Sequence, residues 1–330
     1  MNVKRTTVMK PSLEEAIARH GRLGYGAAQL GNLYRTVDDA TAREALETAW
    51  DLGIRHFDTA PHYGLGLSER RLGAFLQTKP RDEFILSTKV GRLLRDNPHP
   101  QGKDTEGFEV PDDLYRVRDY SSDGVKRSLE ESLERLGLDQ VDIAYIHDPD
   151  GYWDQALHGA VPAFSELREQ GVIQAWGAGM NQWQMLERFV RETQPDIIML
   201  AGRYTLLEQE AAQSLLPACV DHNVKVNAVG VFNSGLLARQ DVPDDAHYNY
   251  DAAPPELIAR ARKLADLAAE YGTTLPAAAL AFPMRHSAIV TSVVGMRTPD
   301  HVRRNVELFE TPVPDEFWSA AADAGLITNH

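Results

Sequence analysis

The sequence predicts an α/β fold, a single (β/α)8 barrel with long loops at its C-terminal face. Three observations predict it. Short apolar runs of strand length alternate with amphipathic stretches of helical period, and the alternation repeats eight times. The 330 residues accommodate such a barrel, for which about 250 residues is typical, together with insertions. The competing architecture, an open doubly wound sheet, usually carries Gly-x-Gly-x-x-Gly after its first strand. Here the first strand region reads Gly24-Tyr-Gly-Ala-Ala-Gln-Leu-Gly31, which misses that spacing, and Gly64-Leu-Gly-Leu-Ser-Glu lacks the third glycine.

Taken in order, Leu23 to Ala28 is a strand, and Asp39 to Leu52 a helix with Ala42, Ala45, Leu46, Ala49 and Trp50 on one face. Ile54 to Asp58 is the second strand, followed by a loop and a helix capped by Ser68. Phe84 to Val90 is the third, and an irregular segment from Gly91 to Tyr120 follows it, marked by Pro98, Pro100, Gly102, Gly107 and Pro111. Ser122 to Leu136 is a helix capped by Ser121 or Ser122 and stopped by Gly137. Strands at Val141 to Ile146, Gln174 to Met180, Asp196 to Ala201 and Val224 to Val229 alternate with helices at Pro162 to Gln170, Trp183 to Thr193 and Glu210 to His222. A loop from Phe232 to Pro255 leads to helices at Glu256 to Tyr271 and Pro276 to His286. The eighth strand, Ile289 to Val294, precedes a helix from Pro299 to Phe309 and a C-terminal tail. No linker divides the chain, so residues 1–330 read as a single domain.

Composition narrows the function. Apolar residues make up 43% of the chain, enough for a large core. A formal net charge of -14 argues against a nucleic-acid partner, which requires a basic surface. No apolar run approaches the roughly 18 residues of a membrane span. Lys4, Arg5 and Lys10 are followed by Pro-Ser-Leu-Glu-Glu rather than by the apolar stretch of a signal peptide. The one cysteine, Cys219, permits no intrachain disulfide. The expectation is a soluble, cytoplasmic protein.

The carboxyl ends of successive strands present Asp58, with Tyr63 in the loop after it, then Lys89, then His147. That is the face on which a barrel builds its active site. A lysine on an apolar strand is costly to bury unless paired, and Asp58 on the neighbouring strand is its natural partner. A buried ammonium beside a phenol favours the phenolate, so Tyr63 is expected to have a lowered pKa and to serve as a proton carrier. His147 is placed to hydrogen-bond a substrate oxygen. Two plainer readings stand beside this one: Asp58 and Lys89 as a structural ion pair, and His147 as a packing or capping residue. A metal site of His147 with Asp148 and Asp150 finds no convergent ligands at the other strand ends.

Together, Phe57-Asp-Thr-Ala-Pro-His-Tyr63, Ser87-Thr-Lys-Val90 and Tyr145-Ile-His147 resemble the motifs of the aldo-keto reductase superfamily, and the resemblance covers nearly the whole chain. It implies a (β/α)8 barrel that binds NAD or NADP without a doubly wound domain. It implies Tyr63 as general acid and base, Lys89 and Asp58 as the residues that tune it, and His147 as the residue that orients the substrate carbonyl.

The same resemblance implies that Asn181 meets the nicotinamide carboxamide, with Gln182 beside it. It implies that Gly230, Phe232, Asn233 and Gly235 form the loop around the pyrophosphate, and that Gly295, Arg297 and Asn305 hold the adenosine end. The sixth-strand glutamine of the family is absent from Leu200-Ala-Gly-Arg-Tyr-Thr-Leu-Leu207, where Arg203 and Tyr204 stand nearby. Gly295 and Met296 occupy positions where many members carry a lysine and a hydroxyl residue for the 2′-phosphate of NADP, which favours NAD; Arg297, Arg303 and Arg304 still supply charge.

Within the superfamily, His62-Tyr-Gly-Leu-Gly-Leu-Ser-Glu-Arg-Arg-Leu-Gly73 and Phe232-Asn-Ser-Gly-Leu-Leu-Ala238 resemble the branch that oxidises aldoses such as L-fucose, and pyridoxal. The implied substrate is a small sugar or aldehyde able to form a cyclic hemiacetal. Candidate readers of its hydroxyls are His99, Asp119, Tyr120, Asn233 and Tyr248, with ordinary exposed loop residues as the equal alternative reading. The same fold also serves as a cofactor-binding regulatory subunit, which stays open as an alternative, as does reduction of other aldehydes and ketones.

Overall fold

In the computed structural model, which describes residues 13–249 and 251–328, eight parallel strands close into a barrel in their order along the chain. The chain opens with helix α1 (Leu13–His20), β1 (Leu23–Gly26), α2 (Asp39–Asp51), β2 (His56–Asp58), α3 (Leu67–Leu76) and β3 (Ile85–Val90). A hairpin of β4 (Arg92–Asp96) and β5 (Leu114–Arg118) stands outside the barrel. Then follow α4 (Ser122–Leu136), β6 (Ile143–His147), a short α5 (Trp153–Gln155), α6 (Val161–Glu169), β7 (Ala175–Met180), α7 (Trp183–Thr193), β8 (Ile197–Ala201), α8 (Leu215–Asp221) and β9 (Lys225–Val229). A hairpin of two-residue strands, β10 (His247–Tyr248) and β11 (Asp251–Ala252), precedes α9 (Pro255–Glu270), α10 (Leu275–Ala281), β12 (Ile289–Gly295), α11 (Pro299–Glu310) and α12 (Asp315–Asp323).

The strands are covered on both faces, by the barrel interior and by the helix layer, so that even Ser87, Thr88 and Lys89 of β3 are buried. β3 and β7 are buried at all six positions. β1 closes the ring, with Gly26 opposite both Asp58 of β2 and Gly295 of β12. The expected apolar face of α2 is buried at Ala42, Ala45, Leu46 and Ala49. α4 begins where the Ser121 hydroxyl accepts from the Gly124 amide (3.1 Å) and ends at Gly137, whose φ of 64° stops it.

Several expectations need correction. Ser68 does not cap α3: the cap is Gly66, and the Ser68 hydroxyl donates to the Ala27 carbonyl (2.7 Å) and meets Thr59 Oγ1 (2.8 Å). The hydroxyl is drawn inward because the helix start packs on the first strand's loop. The segment 91–120 is not irregular throughout, since Leu93 pairs with Val117 in the β4–β5 hairpin. The helix expected from Glu210 to His222 is broken at Ser214, where a 3-10 turn over Glu210–Gln213 meets α8. The C-terminal tail contains α12, which buries Phe317, Trp318 and Ala321. α1 was also missed. It sets Ala16 and Ile17 against Ile85, Ile143, Tyr145, Ala175, Ile197 and Met199, and so closes the N-terminal end of the barrel. Lys4, Arg5 and Lys10 lie outside the described residues.

At the opposite end, residues 107–109 pair with residues 32–34. Tyr34 donates its amide to the Gly107 carbonyl (2.8 Å), and Glu109 donates to the Asn32 carbonyl (2.9 Å). Leu65, Leu94, Phe108 and Val110 form a small apolar cluster there, with Tyr63 and Leu114 packed against it. The hairpin and its loop thus roof the C-terminal mouth over β2 and β3.

Candidate active site

β2, β3 and β6 deliver Asp58, Lys89 and His147 to the same mouth. The Lys89 ammonium donates to Asp58 Oδ2 at 2.6 Å and to the Thr59 carbonyl at 3.0 Å, and both side chains are nearly sealed from solvent, at 3% and 5% exposure. Ser87, two residues before Lys89, donates its hydroxyl to the other carboxylate oxygen at 2.7 Å. Burial alone would depress the lysine. The Asp58 charge and the Tyr63 phenol outweigh it, and the Lys89 pKa is pushed up to about 12. The lysine is therefore a fixed cation.

Tyr63 sits over that cation, its ring centre 4.6 Å from Nζ. Its pKa is raised, not lowered as the sequence suggested. Burial disfavours the phenolate first; Lys89 favours it, but the Asp58 charge acts against Lys89. The ammonium alone would lower the pKa; burial and the carboxylate behind Lys89 reverse the sign.

His147 ends β6, and its Nε2 lies 3.5 Å from Asp148 Oδ2. Its pKa is held well below the ordinary imidazole value, first by burial and then by Arg92 and Lys89. It is a neutral imidazole, able to donate a hydrogen bond but not to carry a second proton near neutral pH. The Asp148 carboxylate accepts from Arg92 Nη2 at 2.6 Å, and among the described residues no group of three or more His, Cys, Asp or Glu is placed to hold an ion.

Sequence reasoning missed several groups here. His62 lies with its ring centre 5.6 Å from that of His147 and 6.0 Å from that of Tyr63. Burial, then Arg92 and Arg116, drive its pKa down to about 2, so this imidazole is neutral too. Phe108 stands edge-on to His62 at 5.1 Å. Arg92 and Arg116 come from the roof hairpin, whose strands would have been legible as the apolar-polar alternation of Leu114-Tyr-Arg-Val-Arg118.

Of the suggested hydroxyl readers, Tyr120 is fully buried and donates its hydroxyl toward the carbonyls of His147 (2.6 Å) and Asp148 (2.9 Å), which fixes the strand end instead. Asp119 accepts from the Ser121 amide (3.0 Å), and His99 is on the exposed rim. Tyr204 packs on Phe282 (5.1 Å) in the helix layer and does not stand in for a strand-end glutamine, whereas Arg203 donates to Asn249 (3.1 Å).

The remaining strand ends carry the residues expected at the cofactor. Half-buried Asn181 and exposed Gln182 follow β7; Gly230, Phe232, Asn233 and Gly235 follow β9; Gly295 ends β12, with Arg297 after it and Asn305 buried on α11. Three buried polar atoms here have no hydrogen-bond partner among the described residues: Gln29 Oε1, Asn233 Oδ1 and Arg297 Nε. A Cβ at Gly295 would come within 2.3 Å of the Gln29 amide, and one at Gly235 would meet nothing within 4 Å. Unpaired donors and acceptors beside bare backbone fit a long polar ligand such as a dinucleotide.

The aldo/keto reductase family model matches residues 22–324. The chain belongs to the aldo/keto reductase family. It is accordingly a nicotinamide-dependent oxidoreductase. The enzyme is 49% identical to the D-threo-aldose 1-dehydrogenase of a Pseudomonas species, over 96% of this chain and 98% of that protein. It is 38% identical to the pyridoxal 4-dehydrogenase of Microbacterium luteolum, over 97% and 99% of the two chains. Among solved structures, the glycerol dehydrogenase of Gluconobacter oxydans shares the fold with a TM-score of 0.73 at 25% identity, covering 94% of this chain and 93% of that one. Among the described residues, no helix is long and apolar enough to cross a membrane.

Proposed function

We propose that this enzyme oxidises an aldose, or another cyclic hemiacetal such as that of pyridoxal, at the hemiacetal carbon to give a lactone. The observation that carries the reading is Tyr63 over the buried Lys89–Asp58 pair, in a chain 49% identical to a D-threo-aldose 1-dehydrogenase. The hemiacetal carbon carries one hydrogen and one hydroxyl. Oxidation removes the first as hydride and the hydroxyl hydrogen as a proton, and no water is consumed. The bound nicotinamide supplies the hydride acceptor.

Tyr63, as phenolate, takes the proton. The fixed charge of Lys89 stabilises that phenolate, and Asp58 holds Lys89 in place. Neutral His147 donates a hydrogen bond to the oxygen that becomes the lactone carbonyl. In the reverse direction the Tyr63 phenol returns the proton. Asn181 and Gln182 are proposed to hold the carboxamide. Gly230, Phe232, Asn233 and Gly235 would embrace the pyrophosphate, and the unpaired Asn233 Oδ1 could accept only from a donor such as a ribose hydroxyl.

Gly295, Arg297 and Asn305 would take the adenosine end, with NAD favoured over NADP. Met296 supports that choice: it is fully buried, and its carbonyl accepts from the Tyr25 hydroxyl at 2.7 Å. Arg297 Nη2 is already given to the Leu33 carbonyl at 2.8 Å.

The test is a panel of L-fucose, D-arabinose, L-galactose and pyridoxal, each with NAD and with NADP. The expected result is cofactor reduction with at least one hemiacetal, faster with NAD. No reduction with any of them overturns the reading, and a preference for NADP overturns the cofactor choice.

A further inference from the structure

The roof hairpin brings into the mouth a carboxylate that the proton and hydride chemistry does not use. Glu106, in the loop between β4 and β5, places Oε1 3.5 Å from Arg116 Nη1 and Oε2 3.8 Å from both Arg92 Nη1 and His62 Nδ1. None of these contacts is a hydrogen bond. The neighbours are already committed elsewhere. Arg116 is given to both oxygens of Asp104 (2.6 and 3.1 Å) and to the His62 carbonyl (2.9 Å), and Arg92 is given to Asp148. The two guanidinium groups are sealed, with 7% and 5% side-chain exposure, whereas Glu106 is 47% exposed. Among the described residues, buried Arg92 Nε and His62 Nδ1 have no hydrogen-bond partner.

A carboxylate needed only to hold the hairpin would close on Arg116, as Asp104 does. Glu106 is instead attracted by fixed positive charge while its lone pairs stay available. Arg92 stands between two carboxylates, Glu106 and Asp148, and Asp148 adjoins His147. This is a row of acceptors and donors along one side of the mouth, starting beside the proposed substrate-oxygen donor. With Nδ1 of neutral His62 turned to Glu106, the tautomer with hydrogen on Nδ1 is favoured, which leaves Nε2 as a further acceptor.

We propose that Glu106, with Asp148 across Arg92, reads the hydroxyls of the substrate remote from the reacting carbon, and so selects polyhydroxylated ring-form substrates. The inference rests on the aldose reading above. Hydrogen bonds from hydroxyls to a carboxylate are charge-assisted and strong. A site built to bond a hydroxyl discriminates against an analogue that lacks it, because its own polar group is then left unpaired.

The experiment compares wild type with Glu106→Gln and Glu106→Ala, using the best aldose of the panel and its single-deoxy analogues with the cofactor present. The expected result is a KM for the aldose raised about tenfold or more in both variants, with kcat reduced by less than about threefold, equivalent to the loss of one charged hydrogen bond. The wild-type preference for the aldose over at least one deoxy analogue should shrink by about the same factor. Equal losses on the aldose and every deoxy analogue would mean a structural role, and overturn the inference. So would an unchanged KM. These outcomes are read in variants of an enzyme that oxidises aldoses; a wild type that oxidises none overturns the aldose reading itself, and this inference with it.

Discussion

Gly31 and Gly64 meet backbone to backbone at the loop that carries Tyr63. A Cβ on Gly64 would lie 2.2 Å from the Gly31 carbonyl oxygen, and one on Gly31 would lie 2.6 Å from the Tyr63 carbonyl carbon. Gly64 also has a φ of 62°. The contact locks the loop after β2 to the turn after β1, and so sets the height of Tyr63 over Lys89. Gly64→Ala is expected to destabilise the fold by about 1–3 kcal/mol, from backbone strain and the clash together. It should also lower kcat, because the phenol moves. Urea denaturation and steady-state kinetics check it; a variant as stable and active as wild type would show that the close approach does not position Tyr63.

Tyr63→Phe keeps the ring and its packing on Phe108 (6.1 Å) and removes only the hydroxyl. Turnover should fall by roughly 10²–10⁴-fold, the usual worth of a positioned acid or base, with cofactor binding retained. Reduced-nicotinamide fluorescence titration and a turnover assay separate the two. Unchanged turnover would remove Tyr63 from its proposed role.

Lys89 and Asp58 are expected to depend on each other. Lys89→Met leaves the Asp58 carboxylate with only the Ser87 hydroxyl at hydrogen-bond distance (2.7 Å) and should cost about 3–5 kcal/mol, because an unpaired charge stays buried. Adding Asp58→Leu should recover most of that stability and none of the activity. Thermal or urea unfolding of the single and double variants tests the coupling. Additive losses in the double variant would mean that the two side chains do not stabilise each other.

The reach of the sequence follows from how local each signal is. α4 and α7 were legible almost to the residue. Ser121 and Gly137 mark the ends of the first, and the second carries a continuous apolar row at Leu186, Phe189 and Val190. Asp58, Lys89 and His147 were legible because strands of a parallel barrel all end on one face. The roof was not. Its residues 107–109 are held to 32–34 through main-chain bonds, which leave no mark on side-chain type. Glu106 and Arg92 therefore could not be brought to His62 by reading residues alone. The sign of the Tyr63 shift was lost for a related reason: the burial that decides it belongs to the assembled mouth, including Phe108, and not to the Phe57-to-Tyr63 phrase.

Tyr120 is expected to act on His147 without touching substrate. Its hydroxyl faces two successive carbonyls, and Asp148, the second of them, has a φ of 43°, a region unfavourable for a non-glycine residue. Tyr120→Phe should cost about 1–3 kcal/mol, since buried carbonyls lose their donor. It should raise KM more than it lowers kcat, because the strand end that presents His147 loosens. Urea unfolding and a full kinetic profile check this; wild-type values in both would show that the hydroxyl is dispensable.

The pH profile follows from four shifts, two upward and two downward. Tyr63 is raised, so at neutral pH it is a phenol. Oxidation, which needs the phenolate, should accelerate as pH rises, by about tenfold per pH unit while Tyr63 stays mostly protonated. The reverse reduction needs the phenol, and should be level through neutrality and fall in alkali. Lys89, at about 12, keeps its charge across that range. His62 and His147 are both depressed, the first to about 2, so neither contributes an inflection near the ordinary imidazole value. Measuring kcat/KM for both directions across the neutral and alkaline range tests these expectations together. An oxidation rate independent of pH would remove Tyr63 as the base. A single protonation near the ordinary histidine value, abolished by His147→Gln, would show that His147 is not held neutral by burial and by Arg92.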